Sequence, residues 1–180
     1  IGVREAEELI RVVSLHGIPA LVRVGANDAH LIKRVLDHGA SGIIVPMVNS
    51  RLDAERAVAA ANFPPGGIRS VGLARAQGYG VKFVEYQAWA KKNIAVIVQI
   101  EHIDAVRNIH EILDVKGVSG AIVGPYDLSA SMGLAGQFRH PKVIRALKDI
   151  SQIDHPLQIL APNLSFYYYP INLLFYFSNQ

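Results

Sequence analysis

Two carboxylates stand at the ends of two successive apolar runs, and this spacing is the first sign of chemistry in the sequence. Glu101 follows the run 95–100, and Asp127 follows the run 121–123 after a Gly-Pro pair. Continuous β-branched runs of this length are typical of strands buried on both faces of a parallel sheet. Between them, apolar residues recur at steps of three and four, which predicts a helix over 103–113. Strand, helix and strand in this order form a crossover unit, in which both strands run in the same direction.

If the two strands are neighbours, Glu101 and Asp127 lie at the same rim of the sheet, roughly one strand spacing of about 5 Å apart. That rim is where α/β proteins place their chemistry. Two carboxylates repel each other there, and a hard divalent cation that keeps several waters is their natural partner. The alternative is that each acid caps the helix that follows it. We favour the metal, because both acids occupy equivalent strand ends.

Composition narrows the possible classes of protein. The chain has 180 residues, of which 51% are hydrophobic and 18% charged, so a folded domain with a sizeable core is expected. The net charge of +3 comes without a block of like charge, which argues against a nucleic-acid partner. The absence of cysteine excludes disulfides and thiolate metal sites and fits a cytoplasmic protein. The sequence begins with neither a signal peptide pattern nor Met, so we expect a fragment.

Helical and strand patterns alternate along the chain, which predicts an α/β fold with a parallel sheet. About four strands are expected, too few to close an eight-stranded barrel, so the sequence permits an open sheet or part of a barrel. A long Gly- and Pro-rich connection covers 63–80, and such connections are often functional. The predicted helices are 4–16, one capped by Asn27 or Asp28 that continues through 37, 50–61, 83–92, 103–113 and 141–150. The predicted strands are 20–24, 42–48, 95–100 and 121–123.

Two regions are predicted from these patterns. Residues 1–150 form a domain of alternating helices and strands, either an open sheet or part of a barrel, and residues 151–180 form an atypical apolar, aromatic tail. No Lys, Arg, Asp or Glu follows Asp154, and prolines interrupt the tail, which argues against a membrane-spanning helix. We interpret the tail as a non-native extension.

Several motifs together resemble one enzyme family. In order along the chain they are Leu-Val-Arg-Val, Val-Pro-Met-Val, Pro-Pro-Gly-Gly-Ile-Arg-Ser-Val-Gly, Val-Gln-Ile-Glu and Gly-Pro-Tyr-Asp-Leu-Ser-Ala-Ser-Met-Gly. Their order and spacing over about residues 1–150 resemble the HpcH/HpaI-type aldolase and citrate lyase family. The resemblance implies a (β/α)₈ TIM barrel of the pyruvate-enolate type, here truncated and incomplete.

The resemblance also implies a metal and a substrate site. Glu101 and Asp127 look like the two protein ligands of Mg²⁺ or Mn²⁺. Gln99 is similar to the substrate-contacting glutamine of the family, and Tyr126 lies where the family presents backbone N–H groups to the substrate. Asp127 is counted with these substrate-binding residues as well as with the metal ligands.

Two further residues receive catalytic roles through the resemblance. Arg23 looks like the arginine that stabilises the enolate, and its apolar neighbours predict that it is buried near the strand rim. Asp37 resembles the aspartate that orients the catalytic histidine. The family's histidine lies in an Asp-x-Glu-His segment that would precede residue 1, and none of the seven histidines here matches it. Arg69 could either gate the site or pin the 63–80 connection.

The implied activity is that of a metal-dependent (class II) aldolase, a carbon–carbon lyase that cleaves 4-hydroxy-2-keto acids to pyruvate and an aldehyde. The implied partners are a small 2-keto acid and further copies of the chain, commonly in a hexamer, with neither nucleic acid nor membrane. One alternative is a citrate-lyase-like enzyme that acts on an acyl-CoA. A second alternative is a truncated, non-catalytic remnant, and we expect little aldolase activity from this fragment alone.

Overall fold

A parallel β-sheet carries helices in alternation with its strands. The computed structural model describes residues 2–160, so most of the predicted tail, 161–180, lies outside the described residues. The strands are β1 (Leu21–Arg23), β2 (Gly42–Val45), β3 (Ala95–Ile100), β4 (Gly120–Val123) and β5 (Ile159–Leu160). The helices are α1 (Val3–Leu15), α2 (Ala29–Asp37), α3 (Arg51–Ala61), α4 (Phe83–Asn93), α5 (Ile103–Arg107), α6 (Ile109–Leu113), α7 (Pro125–Ser131) and α8 (Pro141–Ser151), with a short 3-10 helix at Arg75–Gln77.

The described strands form one sheet in the order β1-β2-β3-β4-β5, and all neighbouring pairs are parallel. The predicted α/β class with helices between parallel strands is confirmed. The sheet has five described strands where about four were predicted. The additional strand, β5, has two residues and hydrogen-bonds beside β4, and a run this short has no periodic pattern that sequence analysis could recognise.

β5 lies beyond residue 150, in the segment assigned to the tail. Its Ile159 pairs with Ala121, and the carbonyl of Gln158 accepts a hydrogen bond from the Ala121 N–H at 3.1 Å. The predicted boundary at residue 150 stays a prediction. Among residues 2–160, no helix is long and apolar enough to cross a membrane.

Local capping explains where two of the helices begin. The Asp28 side chain accepts hydrogen bonds from the N–H groups of His30 and Leu31, both at 2.9 Å, and so caps α2. Ser50 caps α3 by accepting from the Asp53 N–H at 3.2 Å. Both helices follow the carboxyl ends of strands, so these caps fix where the chain leaves the rim.

The predicted helix 103–113 is divided into α5 and α6 at Asn108. This residue has φ −100° and ψ 11°, and its side-chain amide donates to the Asn49 carbonyl at 2.8 Å. The apolar period that predicted one helix continues through the break, because Ile109 and Ile112 both remain buried. The hydrogen bond to Asn49 ties the break to the turn after β2.

Alternation along β3 assigns its residues to two faces of the sheet. Val96, Val98 and Ile100 are buried at the helix-covered face. Gln99 and Glu101 share the opposite face, because side chains two positions apart in a strand point the same way. The chemistry-bearing residues of β3 therefore belong to the face that the helices leave open.

Candidate active site

Glu101 lies at the rim of the sheet directly after β3, and two donors hold its carboxylate. The residue is only 2% exposed. Its Oε1 accepts from the backbone N–H of Met47 at 2.8 Å, and its Oε2 accepts from Nε2 of Gln99 at 2.6 Å. Each oxygen has further acceptor capacity, so the carboxylate is oriented without being saturated.

Gln99 connects Glu101 to Arg23 across the sheet. The Arg23 Nε donates to Gln99 Oε1 at 2.9 Å, while the Gln99 amide nitrogen donates to Glu101. An arginine can only donate and a carboxylate can only accept, so these partners define which amide atom faces which neighbour. Arg23 was predicted to be buried, and this prediction is wrong because its side chain is exposed. The reason is that Arg23 lies on the same face of the sheet as Gln99, which none of the helices within residues 2–160 covers.

Asp127 lies in the first turn of α7, beyond β4, and the structure brings it beside Glu101. Burial raises the pKa of the Glu101 carboxyl above its ordinary value of 4.5. The Met47 N–H and the Arg23 charge oppose that shift, whereas the Asp127 charge and its hydrogen bond to Glu101 add to it. The two carboxyls therefore lie close enough for each to affect the other's charge.

Helix capping does not account for either acid. The N-terminus of α5 is capped by the ring of His102, which accepts from the Asp104 N–H at 3.1 Å. Helix α7 has no side-chain capping bond at its N-cap, Gly124. Neither acid therefore makes a side-chain capping bond, although Asp127 lies in the first turn of α7, where negative charge favours a helix.

The pair of acids fits a hard cation with open coordination positions. Two carboxylates supply oxygen ligands of the kind that Mg²⁺ and Mn²⁺ prefer. Among residues 2–160 there is no group of three His, Cys, Asp or Glu side chains that could hold an ion. A cation here would therefore keep positions for water or for substrate oxygens, which is the arrangement of catalytic Mg²⁺ sites.

Gly124 leaves the space that this arrangement needs. A Cβ added at this position would lie 2.8 Å from Gln99 Nε2 and 2.9 Å from both Cβ and Oε2 of Glu101. The glycine is therefore required by close approach, since its φ of −102° is accessible to other residues. Sequence reasoning did not select Gly124, although its place between the β4 run and Asp127 was a usable signal.

Tyr126 also lies in the first turn of α7, and its side chain is 60% exposed. Its ring packs edge-on against Phe138 with the centroids 6.3 Å apart. The N–H groups in a first helical turn have no acceptor within the helix, so that of Tyr126 is available to a ligand at the rim. Its predicted substrate role stays a prediction.

Asp37 is not part of this cluster. Asp37 is the last residue of α2, which runs from the carboxyl end of β1 to the amino end of β2. It therefore lies toward the amino ends of the strands, opposite the rim that carries Glu101. Its Oδ1 accepts from Arg69 Nη2 at 2.7 Å, and its Oδ2 pairs with Lys33. Arg69, buried between the rings of Phe63 and Tyr86, pins the 63–80 connection to α2. Because Arg69 pairs with Asp37 at the end of α2, it lies away from the rim, and this location does not support a gating role.

Four of the described histidines are engaged by contacts within the chain. His102 follows Glu101, but its ring is used as the cap of α5. His38 pairs with Glu7 at 2.7 Å, His140 caps α8, and His155 lies 3.4 Å from Asp114. The interpretation of all seven histidines as solvent-exposed or packing residues stays a prediction.

A family model described as HpcH/HpaI aldolase/citrate lyase matches residues 2–168. Over 150 residues the chain is 43% identical to a hydroxypyruvate/pyruvate aldolase of Sagittula stellata, covering 83% of this chain and 59% of that protein. It is 45% identical over 131 residues to a 4-hydroxy-2-oxo-heptane-1,7-dioate aldolase of Salmonella typhimurium, covering 72% and 49%.

Among solved structures, the chain is similar to an HpcH/HpaI aldolase/citrate lyase family protein from Burkholderia cenocepacia. The TM-score is 0.77 and the identity 35%, with 83% of this chain and 60% of that chain covered. The chain thus spans 49–60% of the length of these three proteins. The likeness confirms the predicted fold class, part of a TIM-type barrel. Since the family model matches most of the sequence, the chain belongs to the HpcH/HpaI aldolase/citrate lyase family.

Proposed function

We propose that this chain carries the metal-binding rim of a class II aldolase that cleaves 4-hydroxy-2-keto acids to pyruvate and an aldehyde. The observation that carries the proposal is the placement of Glu101 and Asp127 after the carboxyl ends of adjacent strands, with Glu101 linked through Gln99 to Arg23. Two similar proteins are named as aldolases of hydroxypyruvate/pyruvate and of 4-hydroxy-2-oxo-heptane-1,7-dioate. Both names describe carbon–carbon cleavage or formation at a keto acid.

Glu101 and Asp127 would hold Mg²⁺ or Mn²⁺. When bound, such a cation polarises the keto and carboxylate oxygens of the substrate as a Lewis acid. Glu101 is oriented for this by the Met47 N–H and Gln99, while the exposed Asp127 remains reachable from solvent.

Arg23 provides positive charge on the open face, where the oxygen of the pyruvate enolate would develop negative charge. Its hydrogen bond to Gln99 fixes the Nε and leaves the terminal nitrogens able to donate to a substrate oxygen. Gln99 and Tyr126 would border the keto acid from β3 and α7. We assign no step to Asp37 within one chain, since its carboxylate pairs with Arg69 and Lys33 near the amino ends of the strands, away from the rim.

We also propose that the chain associates with copies of itself, as a hexamer by family resemblance. Large apolar side chains are exposed on and beside the 63–80 connection: Leu73 is 76% exposed, Val81 86% and Val84 76%. Exposed apolar side chains that lie together on a protein surface mark association sites, and these three are near one another in the sequence. Light scattering coupled to gel filtration measures the mass, and a monomer at micromolar concentration would contradict this part. The cytoplasmic location stays a prediction.

Mn²⁺ binding, measured by electron paramagnetic resonance, tests the metal site. The wild-type chain should bind one Mn²⁺ per chain, and Glu101→Gln and Asp127→Asn should each abolish binding. Asp104→Asn is the matched control, because Asp104 occupies the first turn of the neighbouring helix α5 and should not affect Mn²⁺. A folded wild-type chain that binds no Mn²⁺ would instead support the non-catalytic remnant.

Cleavage of a 4-hydroxy-2-keto acid, followed by pyruvate release, tests the reaction. Since none of the seven histidines matches the family's Asp-x-Glu-His segment, we expect the 180-residue chain to release pyruvate slowly even when it binds the metal. Turnover at rates typical of enzymes would contradict the expectation of low activity. Cleavage of an acyl-CoA in preference to the keto acid would favour the citrate-lyase-like alternative.

A further inference from the structure

The turn after β2 contains a backbone conformation that its sequence does not favour. Met47 has φ 53°, in the left-handed region that only glycine and a few polar residues adopt readily. Met47 and Tyr79 are the two non-glycine residues with positive φ in the part of the chain that the structure describes. A methionine held in this conformation requires a compensating interaction nearby.

Side-chain packing does not supply that compensation. The Met47 side chain is 49% exposed, whereas its neighbours Pro46 and Val48 are both buried. The chain must therefore leave β2, place Met47 at the surface and return Val48 to the core within three residues. Met47 is instead held by its backbone N–H, which donates to Glu101 Oε1 at 2.8 Å.

The hydrogen bond from Met47 to Glu101 and the burial of Val48 together explain the positive φ. Pro46 has no N–H to offer, so Met47 is the first residue beyond the strand whose amide can reach the rim. With that amide held toward Glu101, rotation to φ 53° carries the following chain back to the buried position of Val48. Beyond Val48, the turn is anchored again where the Asn49 N–H donates to Asp53 and the Asn49 carbonyl accepts from Asn108.

From this geometry we infer that Met47 is a positioning residue for the metal site, acting through its backbone. Its amide holds Oε1 of Glu101 while Gln99 holds Oε2, and the remaining acceptor positions of both oxygens stay free for a cation. The inference rests on the proposed function. It assigns the role to the left-handed conformation and not to the thioether side chain.

Substitutions that differ in their tolerance of positive φ test this role. Met47→Gly and Met47→Asn keep the N–H and accept the conformation, so the Kd for Mn²⁺ should stay within about threefold of wild type. Met47→Val disfavours the conformation through its branched Cβ. Loss of the backbone hydrogen bond that orients Glu101 should then raise the Kd for Mn²⁺ about tenfold or more. Tyr79→Val is the matched control. Tyr79 also has a positive φ, 56°, but lies on the 63–80 connection, so the Kd of this variant for Mn²⁺ should equal that of wild type.

A second measurement covers the case in which Met47→Val does not fold. Amide hydrogen exchange, followed residue by residue by NMR without metal, should be slower at Met47 in wild type than in Glu101→Ala, because the acceptor is lost. Equal exchange in the two proteins would overturn the inference.

The Mn²⁺ outcomes separate the two proposals. If wild type binds Mn²⁺ and Met47→Val binds it equally well at reduced thermal stability, Met47 is only a structural turn and the inference fails alone. If Met47→Gly weakens binding as much as Met47→Val, the side chain matters and the inference also fails. If wild type binds no Mn²⁺, the proposed function fails and takes the inference with it.

Discussion

Replacing Asp37 by asparagine is expected to expose the cost of a buried, unpaired charge. The Arg69 side chain is fully buried, and its Nη2 donates to Asp37 Oδ1 at 2.7 Å and to the Tyr86 hydroxyl at 3.0 Å. Its Nε and Nη1 have no hydrogen-bond partner among the described residues. Asp37 is therefore the main counter-charge of a guanidinium that water does not reach.

The size of the effect follows from these contacts. Removing one partner of a buried ion pair costs about 3–5 kcal/mol. Asparagine keeps an oxygen that can accept from Arg69, and the Phe63 ring still lies 4.5 Å from the guanidinium carbon. We therefore expect Asp37→Asn to lower the free energy of unfolding by about 3 kcal/mol, toward the lower end of the range for a broken buried pair. In urea, with a slope of about 1–3 kcal/mol/M, the midpoint should fall by about 1–3 M.

Urea unfolding followed by circular dichroism measures this change, and two variants control for it. Asp104→Asn breaks an ion pair to Arg107 of similar length, 2.8 Å, but the two side chains are 50% and 70% exposed, so the loss should be within about 1 kcal/mol. The double variant Asp37→Asn with Arg69→Met should be more stable than Asp37→Asn alone, because no unpaired charge remains. A loss no larger for Asp37→Asn than for Asp104→Asn would refute the reasoning.

Three further predictions concern the rim. Gly124→Ala should destabilise the chain by about 1–3 kcal/mol and weaken Mn²⁺ binding, because its Cβ would meet Gln99 and Glu101 at 2.8–2.9 Å; Gly25→Ala, with open space around it, is the control for the unfolding midpoint. Without metal, the Glu101 carboxyl holds its proton more tightly in the folded chain than in the unfolded chain. The free energy of unfolding should therefore fall as the pH rises from about 4.5 through the raised pKa. Urea midpoints in EDTA that do not fall over this range, or that fall equally in Glu101→Gln, would contradict this prediction. Arg23→Met should change the unfolding midpoint little, because Arg23 is exposed, yet weaken pyruvate binding to the Mn²⁺-loaded chain; calorimetric titration with equal affinities would argue against its charge acting on the substrate.

The convergence of Glu101 and Asp127 was predictable because it depends only on topology. Two β-branched runs, each followed by an acid and joined by a helical pattern, are sufficient to place both acids at one rim. The link from Arg23 to Gln99 was harder to foresee, since it depends on the relative position of β1 and β3, two strands apart. Their residue types alone did not reveal that pairing.

Other features depend on contacts that carry no pattern in the sequence. The exposure of Arg23 follows from which face of the sheet the helices cover, and an apolar neighbourhood in sequence cannot report that. The break at Asn108 needs the carbonyl of Asn49, which is distant along the chain. Met47 shows no polar or catalytic chemistry in its side chain, so only its backbone dihedral and the hydrogen bond to Glu101 identify it.

The alternation of β3 limits how this segment of the gene can change in length. An insertion or deletion of one residue between Gln99 and Glu101 would turn the acid from the open face to the helix-covered face. The exposed positions 64–66 lie outside the sheet, so a change of one residue there does not move any strand side chain to the other face. In lineages that retain the rim chemistry, length polymorphism should therefore accumulate around 64–66 and be absent from 95–101.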